Sequence, residues 1–171
     1  MRNWSYTIND PNHHKCGTTL WSGRYCAVVG FVFKQVNNDY FILANKRGSG
    51  TPDYQGYWNC PCGFLEADES GEEGVSREIC EETGYYIKPY EFSLYGIETN
   101  PVICNNGNVS IRYWTLNPEI ELKTIEGEPD EVEEVKWINI FDIRDYKWAF
   151  NHDDIIYDIW NDILESQSSI L

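Results

Sequence analysis

The 171-residue sequence lacks any long hydrophobic run. Its longest apolar stretch, residues 25–33, is too short to cross a bilayer as a helix. The first six residues contain no apolar segment of the kind found in signal peptides. We therefore expect a cytoplasmic protein without a membrane partner. In that setting its six cysteines indicate reduced thiols, not a disulfide scaffold.

The sequence also has few basic residues. Lysine and arginine together number 13, against 28 aspartates and glutamates, which gives a net charge of −15. The basic residues do not cluster, so the surface should repel a long nucleic-acid backbone. A small phosphorylated substrate is still compatible with this charge, because a bound divalent cation can reverse the local field.

Local patterns predict one domain with a mixed sheet packed by helices. Strands are expected at 25–36, 40–45, 58–62, 91–104, 109–117 and 132–140, where β-branched and aromatic residues alternate with turn signals. Ser70 and Glu73 form a capping-box pattern, and Gly84 supplies a left-handed stop, so a helix should occupy residues 71–83. A last helix should follow residues 151–154, because apolar residues recur there at helical spacing.

The predicted helix at 71–83 carries an unusual acidic face. Val75 and Ile79 fall on one stripe that should face the core. Three carboxylates crowd the arc beside that stripe: Glu78, Glu81 and Glu82. They repel each other, and the helix gains nothing from them unless a cation lies nearby. Hard oxygen ligands at this density suit Mg²⁺ or Mn²⁺, although a solvated acidic face is the other interpretation.

A basic residue stands next to this acidic face. Arg77 lies four residues before Glu81, and Glu69 is close enough through the preceding loop to pair with it. Such a pair would fix the loop to the helix and orient a glutamate. The loop begins at Gly63, where the backbone can approach a metal closely.

The segment 63–85, GFLEADESGEEGVSREICEETGY, resembles the box of the Nudix hydrolase family. That box reads Gly, five residues, Glu, seven residues, Arg-Glu, an aliphatic, any residue, Glu-Glu, any residue, Gly and an aliphatic. The positions that fit in register are Gly63, Glu69, Arg77, Glu78, Ile79, Glu81, Glu82 and Gly84. Tyr85 departs from the aliphatic position. The segment 58–63 resembles the family strand that ends in Pro-Gly-Gly, with Cys62 in place of the first glycine.

The resemblance extends over residues 25–165 and implies an α/β/α sandwich with a mixed β-sheet. Residues 1–24 would be an N-terminal extension and residues 25–171 the Nudix domain. The implied reaction is metal-dependent hydrolysis of the pyrophosphate bond in a nucleoside diphosphate linked to another group. The implied cofactor is Mg²⁺ or Mn²⁺, and family members are often homodimers, so a homodimer is expected.

The family's functional positions carry over to particular residues. The implied metal ligands are Glu78, Glu81, Glu82 and the backbone at Cys62 and Gly63. Arg77 would orient the site, with Glu69 and Gly84 as its structural support. The general base would be Glu78 or, from outside the box, Glu131 or Glu134.

The substrate is less well defined. The segment 150–154 and the helix after it resemble the end of ADP-ribose-type members, which favours ADP-ribose. The alternatives are nucleoside triphosphates, dinucleoside polyphosphates, RNA 5′ ends, isomerisation of an isoprenoid diphosphate, or a domain that senses a nucleotide without cleaving it. Arg24 and Arg47 are candidates for phosphate contacts, and Tyr54 and Tyr57 for stacking on a base. Each of these four could equally be a surface or structural residue.

Two further patterns have structural interpretations beside functional ones. His152 is expected to make a local hydrogen bond at a helix N-terminus, with a substrate contact as the alternative. Cys60 and Cys62, with His13, His14 and Cys16, could suggest a zinc site. Their C-x-C spacing differs from the usual two intervening residues, so ordinary thiols are favoured.

Overall fold

The computed structural model describes residues 5–6, 20–21, 24–103, 107–124 and 130–168. Two short strands come first, β1 (Ser5–Tyr6) and β2 (Leu20–Trp21), and they pair antiparallel with each other. The other elements are β3 (Cys26–Val36), β4 (Asp39–Arg47), β5 (Trp58–Asn59), β6 (Cys62–Phe64), α1 (Gly71–Thr83), β7 (Tyr85–Tyr86), β8 (Ser93–Glu98), β9 (Val109–Leu116), β10 (Glu121–Leu122), β11 (Val132–Asn139) and α2 (His152–Ser168). Short 3₁₀ helices lie at Pro89–Glu91 and Ile140–Asp145.

Seven strands form one mixed sheet around β3. The order is β11-β4-β3-β9-β8, with β5 paired to β4 and β6 paired to β3. β3 and β9 run parallel, while the other pairs of this sheet are antiparallel. β7 and β10 form a separate antiparallel pair.

The two helices cover opposite faces of this sheet, which confirms the predicted α/β/α sandwich. On one face Val28 and Val32 of β3 pack in a core cluster with Val75 and Ile79 of α1. On the other face the alternate residues of β3 pack with α2, in a cluster that includes Val29, Phe31, Phe33, Ile156, Ile159 and Ile163. β3 is buried on both faces, as its continuous apolar sequence predicts.

The helix boundaries follow the local sequence signals. Ser70 accepts a hydrogen bond from the Glu73 amide, and the Glu73 side chain accepts one from the Ser70 amide, so the capping box is complete. Gly84 ends α1 in the left-handed conformation, with φ of 74°. The predicted last helix is also confirmed, and it begins at His152.

The short strands β1, β2, β7 and β10 were not predicted, β4 is longer than its predicted range, and two other predicted strands differ more clearly. The run 58–62, expected as one strand, is divided into β5 and β6, which pair with different neighbours. Pro61 separates them because it has no amide to donate, although its carbonyl accepts from the Gly30 amide. The predicted strand at 91–104 ends at Glu98, and its last residue lies outside the described residues.

Within the described ranges, no helix is both long and apolar enough to span a membrane.

Candidate active site

A cavity of about 860 Å³ opens where several parts of the fold meet. Its lining includes the start of β3, the end of β4 with the loop after it, the β6–α1 connection with the acidic face of α1, the first half of β9, and the N-terminus of α2. The volume falls in the range of small-molecule sites in proteins. The lining contains eight carboxylates and three arginines, so the cavity is strongly acidic in the absence of a cation.

Arg77 joins the loop before α1 to the carboxylates on the helix. Its Nε and Nη2 donate to both oxygens of Glu69, at 3.0 and 2.7 Å, which is the predicted pair in bidentate form. Its Nη1 donates to Glu78 and to Glu81, each at 2.9 Å. Nη2 also donates to the Phe64 carbonyl. One guanidinium therefore fixes the loop and orients two carboxylates.

Glu78 lies against the backbone at the entrance of that loop. Burial raises the pKa of Glu78 to about 7, against the opposing effect of Arg77 and in the same direction as Glu81 and Glu69. A Cβ placed at Gly63 would overlap the Glu78 carboxylate. Glycine at position 63 therefore lets the carboxylate rest directly on the strand.

Glu82 is held by the same strand, β6, one residue before Gly63. Its Oε2 accepts a hydrogen bond from the Cys62 amide at 3.0 Å. Burial and the neighbouring charge of Glu78 raise the pKa of Glu82 well above its usual range, and burial likewise raises the pKa of the Cys62 thiol. Two partly buried carboxylates thus adjoin each other, and each disfavours the ionised form of the other.

These groups have the donor chemistry of a divalent-metal site. In the part of the chain that the structure describes, no three acidic, histidine or cysteine side chains are arranged to hold an ion. One oxygen each of Glu78, Glu81 and Glu82 accepts a hydrogen bond from Arg77 or from the Cys62 amide. The raised pKa values of Glu78 and Glu82 nevertheless mark a place where a cation would relieve repulsion. Carboxylate oxygens are the ligands that Mg²⁺ and Mn²⁺ prefer, so the residues fit such an ion.

Arg47 lies on the cavity wall at the end of β4. Its Nη2 donates to Asp53 Oδ1 at 2.8 Å and its Nε to the Asp53 carbonyl at 3.0 Å. The guanidinium also stacks over the Phe150 ring, 5.0 Å from its centroid. Arg47, predicted as a phosphate contact, therefore lies in the cavity, where it forms an ion pair with Asp53.

The remaining predicted residues divide into two groups. Glu131 lines the cavity, whereas Glu134 is exposed on β11 and is not among the lining residues. Arg24, Tyr54 and Tyr57 are also absent from the described lining. Arg24 donates to the carbonyls of Thr99, Gly107 and Asn108. Tyr54 and Tyr57 pack edge-to-face on each other.

His152 contributes to the site through a long-range contact. Its Nδ1 accepts a hydrogen bond from the Cys60 amide at 3.0 Å, so the ring proton resides on Nε2. Burial, with the charges of Arg112 and Arg47, lowers the pKa of His152 to about 3. His152 does lie at a helix N-terminus, but the prediction of a local hydrogen bond is wrong, because its partner is 92 residues away in sequence. A neutral imidazole with its acceptor nitrogen occupied can only donate, so it is no general base.

Arg112 on β9 was not singled out in the sequence, yet it lines the cavity. The sequence of β9 alternates polar and apolar residues as many half-buried strands do, so the residues around Arg112 do not indicate a functional site. The one available hint is an arginine inside an apolar strand pattern, because such a charge is rarely buried without a partner.

The zinc interpretation gains no support from the described residues. Cys60 is buried and Cys62 is bound to the Asn59 side chain at 3.4 Å. Their suggested partners His13, His14 and Cys16 lie outside the described residues.

The sequence and the fold are both similar to known proteins. A family model described as NUDIX domain matches residues 24–159. The ADP-ribose pyrophosphatase of Methanocaldococcus jannaschii is 34% identical over 124 residues, an alignment that covers 72% of this chain and 68% of that protein.

Solved structures extend the similarity to the whole architecture. The NUDIX domain of Shewanella oneidensis NrtR, complexed with ADP ribose, superposes with a TM-score of 0.69 at 20% identity, covering 90% of this chain and 95% of that one. A bifunctional NMN adenylyltransferase/ADP ribose pyrophosphatase from Francisella tularensis, complexed with AMP and a Mn ion, gives 0.61 at 24% identity, covering 83% of this chain and 42% of that one. At these identities the structures support the fold.

Proposed function

The chain belongs to the Nudix family of pyrophosphohydrolases, and we propose that it cleaves the pyrophosphate bond of a nucleoside diphosphate joined to another group, with ADP-ribose first. The observation that carries this proposal is the Arg77 network. It presents Glu78 and Glu81 to a cavity of about 860 Å³, beside Glu82.

A divalent cation, Mg²⁺ or Mn²⁺, is part of the proposal. Glu78, Glu81, Glu82 and the backbone at Cys62 and Gly63 would hold it. When bound, the cation would neutralise charge on the phosphate oxygens and make water more acidic. The chain's own contribution is positioning: Glu69 fixes Arg77, and Arg77 orients Glu78 and Glu81.

The general base is proposed from the carboxylates that reach the cavity. Glu78 lines the cavity beside Glu81 and Glu82, and it is the candidate within the box. Glu131 lines the same cavity from the far side of β4 and is the candidate outside the box. Glu134 is exposed and outside the described lining, which makes it the weaker of the two outside candidates.

ADP-ribose is favoured by similarity and by charge. The M. jannaschii relative is named for this substrate and covers most of the chain. A net charge of −15 disfavours RNA, whose binding depends on clustered cations. Nucleoside triphosphates and dinucleoside polyphosphates are the closest competitors.

A substrate panel tests the proposal. ADP-ribose, NADH, a dinucleoside polyphosphate, nucleoside triphosphates and a 5′-triphosphorylated RNA would each be incubated with the protein and Mg²⁺. AMP, phosphate and pyrophosphate release would be quantified, with EDTA as the control. We expect rapid, EDTA-sensitive AMP release from ADP-ribose. Turnover of another compound in place of ADP-ribose would assign that compound as the substrate. Binding without any turnover would favour a nucleotide sensor.

A further inference from the structure

Among the arginines that the structure describes, Arg112 alone makes no hydrogen bond or ion pair with another described residue. Arg24, Arg47, Arg77 and Arg144 each donate hydrogen bonds to carbonyl or carboxylate oxygens. Arg112 takes part in none of the ion pairs among the described residues, and its Nε is buried without a hydrogen-bond partner there. A buried donor without an acceptor is costly, and in a chain with 28 acidic residues a carboxylate partner would be easy to supply.

The position of Arg112 directs it into the cavity. Residues 111 and 113 of β9 pack in the cluster on the α1 face of the sheet. Ser110 and Arg112 alternate with them and line the cavity on the other face. Arg112 therefore lies on the cavity wall, on the same face of the sheet as its register partner Val29.

Strand register fixes the distance between Arg112 and the carboxylates. Val29 of β3 pairs with Arg112 on one side and with Cys62 on the other. The Cys62 amide holds Glu82. Two interstrand spacings, roughly 10 Å in all, therefore separate the Arg112 backbone from the strand that holds the acidic site. A diphosphate held at the carboxylates would lie between the two walls.

A second hydrogen-bond donor lines the same cavity. His152 accepts from the Cys60 amide through Nδ1, so its Nε2 carries the proton and cannot accept a hydrogen bond from Arg112. Arg47 and Arg77, the other arginines of the lining, are already bound to carboxylates. Arg112 is thus the one lining guanidinium of the described cavity without a counter-ion.

From this geometry we propose that Arg112 binds a phosphate group of the substrate, on the wall opposite the acidic face of α1, with the Nε2–H of His152 as a second donor. This inference rests on the proposed function in its choice of a diphosphate. A guanidinium recognises phosphate oxygens with paired hydrogen bonds, and the two terminal nitrogens of Arg112, which make no hydrogen bond to the described residues, would donate them.

The test is metal-free binding measured by calorimetry. The full chain and its Arg112→Gln, Arg112→Lys and Lys88→Gln variants would be titrated with ADP-ribose and with adenosine in EDTA. Lys88→Gln removes the same charge from a residue that pairs with Glu119 outside the described cavity lining. Thermal unfolding would show that every variant folds cooperatively.

Arg112→Gln should weaken ADP-ribose binding by about 10- to 100-fold, the usual effect of losing a charge-assisted hydrogen bond. Arg112→Lys should restore part of the affinity, and Lys88→Gln should match the wild type. Adenosine, which has no phosphate, should bind all four proteins alike.

Equal ADP-ribose affinity in the wild type and Arg112→Gln would overturn the inference. So would an equal loss for adenosine, because Arg112 would then shape the cavity without binding phosphate, or an absence of ADP-ribose binding to the wild type. The proposed function fails separately: it is refuted by lack of turnover in the substrate panel, even where ADP-ribose affinity depends on Arg112.

Discussion

The two helices that border the cavity bring polar groups to it in different ways. α1 presents carboxylates from its middle and its end, and a single arginine of the same helix orients two of them. α2 reaches the cavity with its first turn, where His152 is bound to the Cys60 amide of a distant loop. The α1 side is charged and locally organised, whereas the α2 side is neutral at His152 and depends on tertiary contacts.

The largest expected loss of activity follows from a substitution on the α1 side of the cavity. Glu82→Gln keeps an oxygen that can accept from the Cys62 amide but removes a charge from the acidic cluster. We expect at least about 100-fold lower kcat with Mg²⁺, because stabilisation by a positioned charge is lost. The melting temperature should not fall, since the pKa of Glu82 is already raised by burial and by Glu78.

Glu121→Gln, on the exposed strand β10, is the matched control and should retain activity. Full turnover of Glu82→Gln at saturating Mg²⁺ would remove Glu82 from the set of proposed metal ligands.

Arg77→Gln should affect activity and stability together. It leaves Glu69, Glu78 and Glu81 without their shared donor, and the Arg77 side chain is only 24% exposed. We expect kcat to fall by about 10- to 100-fold and the free energy of unfolding to fall by roughly 2 kcal/mol, less than for a fully buried pair. In a domain of this size that corresponds to a melting temperature lower by about 4–8 °C.

Arg144→Gln is the comparison for stability, because it breaks exposed ion pairs with Asp153 and Asp154. It should shift the melting temperature far less. If both variants shift it equally, the Arg77 network has no special structural role.

On the α2 side, His152 should make the free energy of unfolding depend on pH. The pKa of His152 is lowered to about 3 in the folded state, below its value of about 6.5 in the unfolded chain. The unfolded chain therefore takes up a proton first, and stability falls as pH decreases through the window from about 6.5 to 3. From pH 7.5 to 5.0 this residue should cost roughly 2 kcal/mol.

Urea unfolding of the wild type and His152→Asn at both pH values measures this difference. The variant should lose roughly 2 kcal/mol less than the wild type over the same interval, since the other titrating groups are common to both. Parallel pH dependences would show that His152 has the same pKa in the folded and unfolded chain.

The smallest effect should come from the local start of α1. Ser70→Ala removes the side-chain acceptor for the Glu73 amide. It should lower the free energy of unfolding by about 1 kcal/mol and change kcat by less than twofold, because the carboxylates lie further along the helix. Ser93→Ala on exposed β8 is the control for thermal unfolding. A tenfold loss of kcat in Ser70→Ala would show that the first turn positions the site.

The sequence was most informative where contacts are local. The bounds of α1, its acidic face and the Glu69–Arg77 pair depend on residues within about two helical turns of each other, so spacing was sufficient to predict them. The resemblance of the 63–85 segment added the family, which the family model confirmed. The placement of Arg47 and Glu131 in one cavity required the sheet register, and their roles stay predictions.

The remaining features depend on residues far apart in the chain. The Cys60–His152 hydrogen bond joins the β5–β6 connection to the first residue of α2, 92 residues away, and no local pattern encodes its partner. Arg112 is brought level with Cys62 only by the parallel pairing of β9 with β3. The division of the 58–62 run into two strands could have been predicted from the sequence, because Pro61 has no amide hydrogen to donate to a neighbouring strand.

The excess of carboxylates around the cavity has a kinetic consequence. A chain with a net charge of −15 repels an anionic substrate at long range, so the encounter should be slower than the diffusion limit at low ionic strength. Added salt screens that repulsion over distances beyond roughly 10 Å at 0.1 M. The association rate should therefore rise with salt, the reverse of enzymes that attract phosphates through a cationic cleft, and the contacts made after arrival set the affinity.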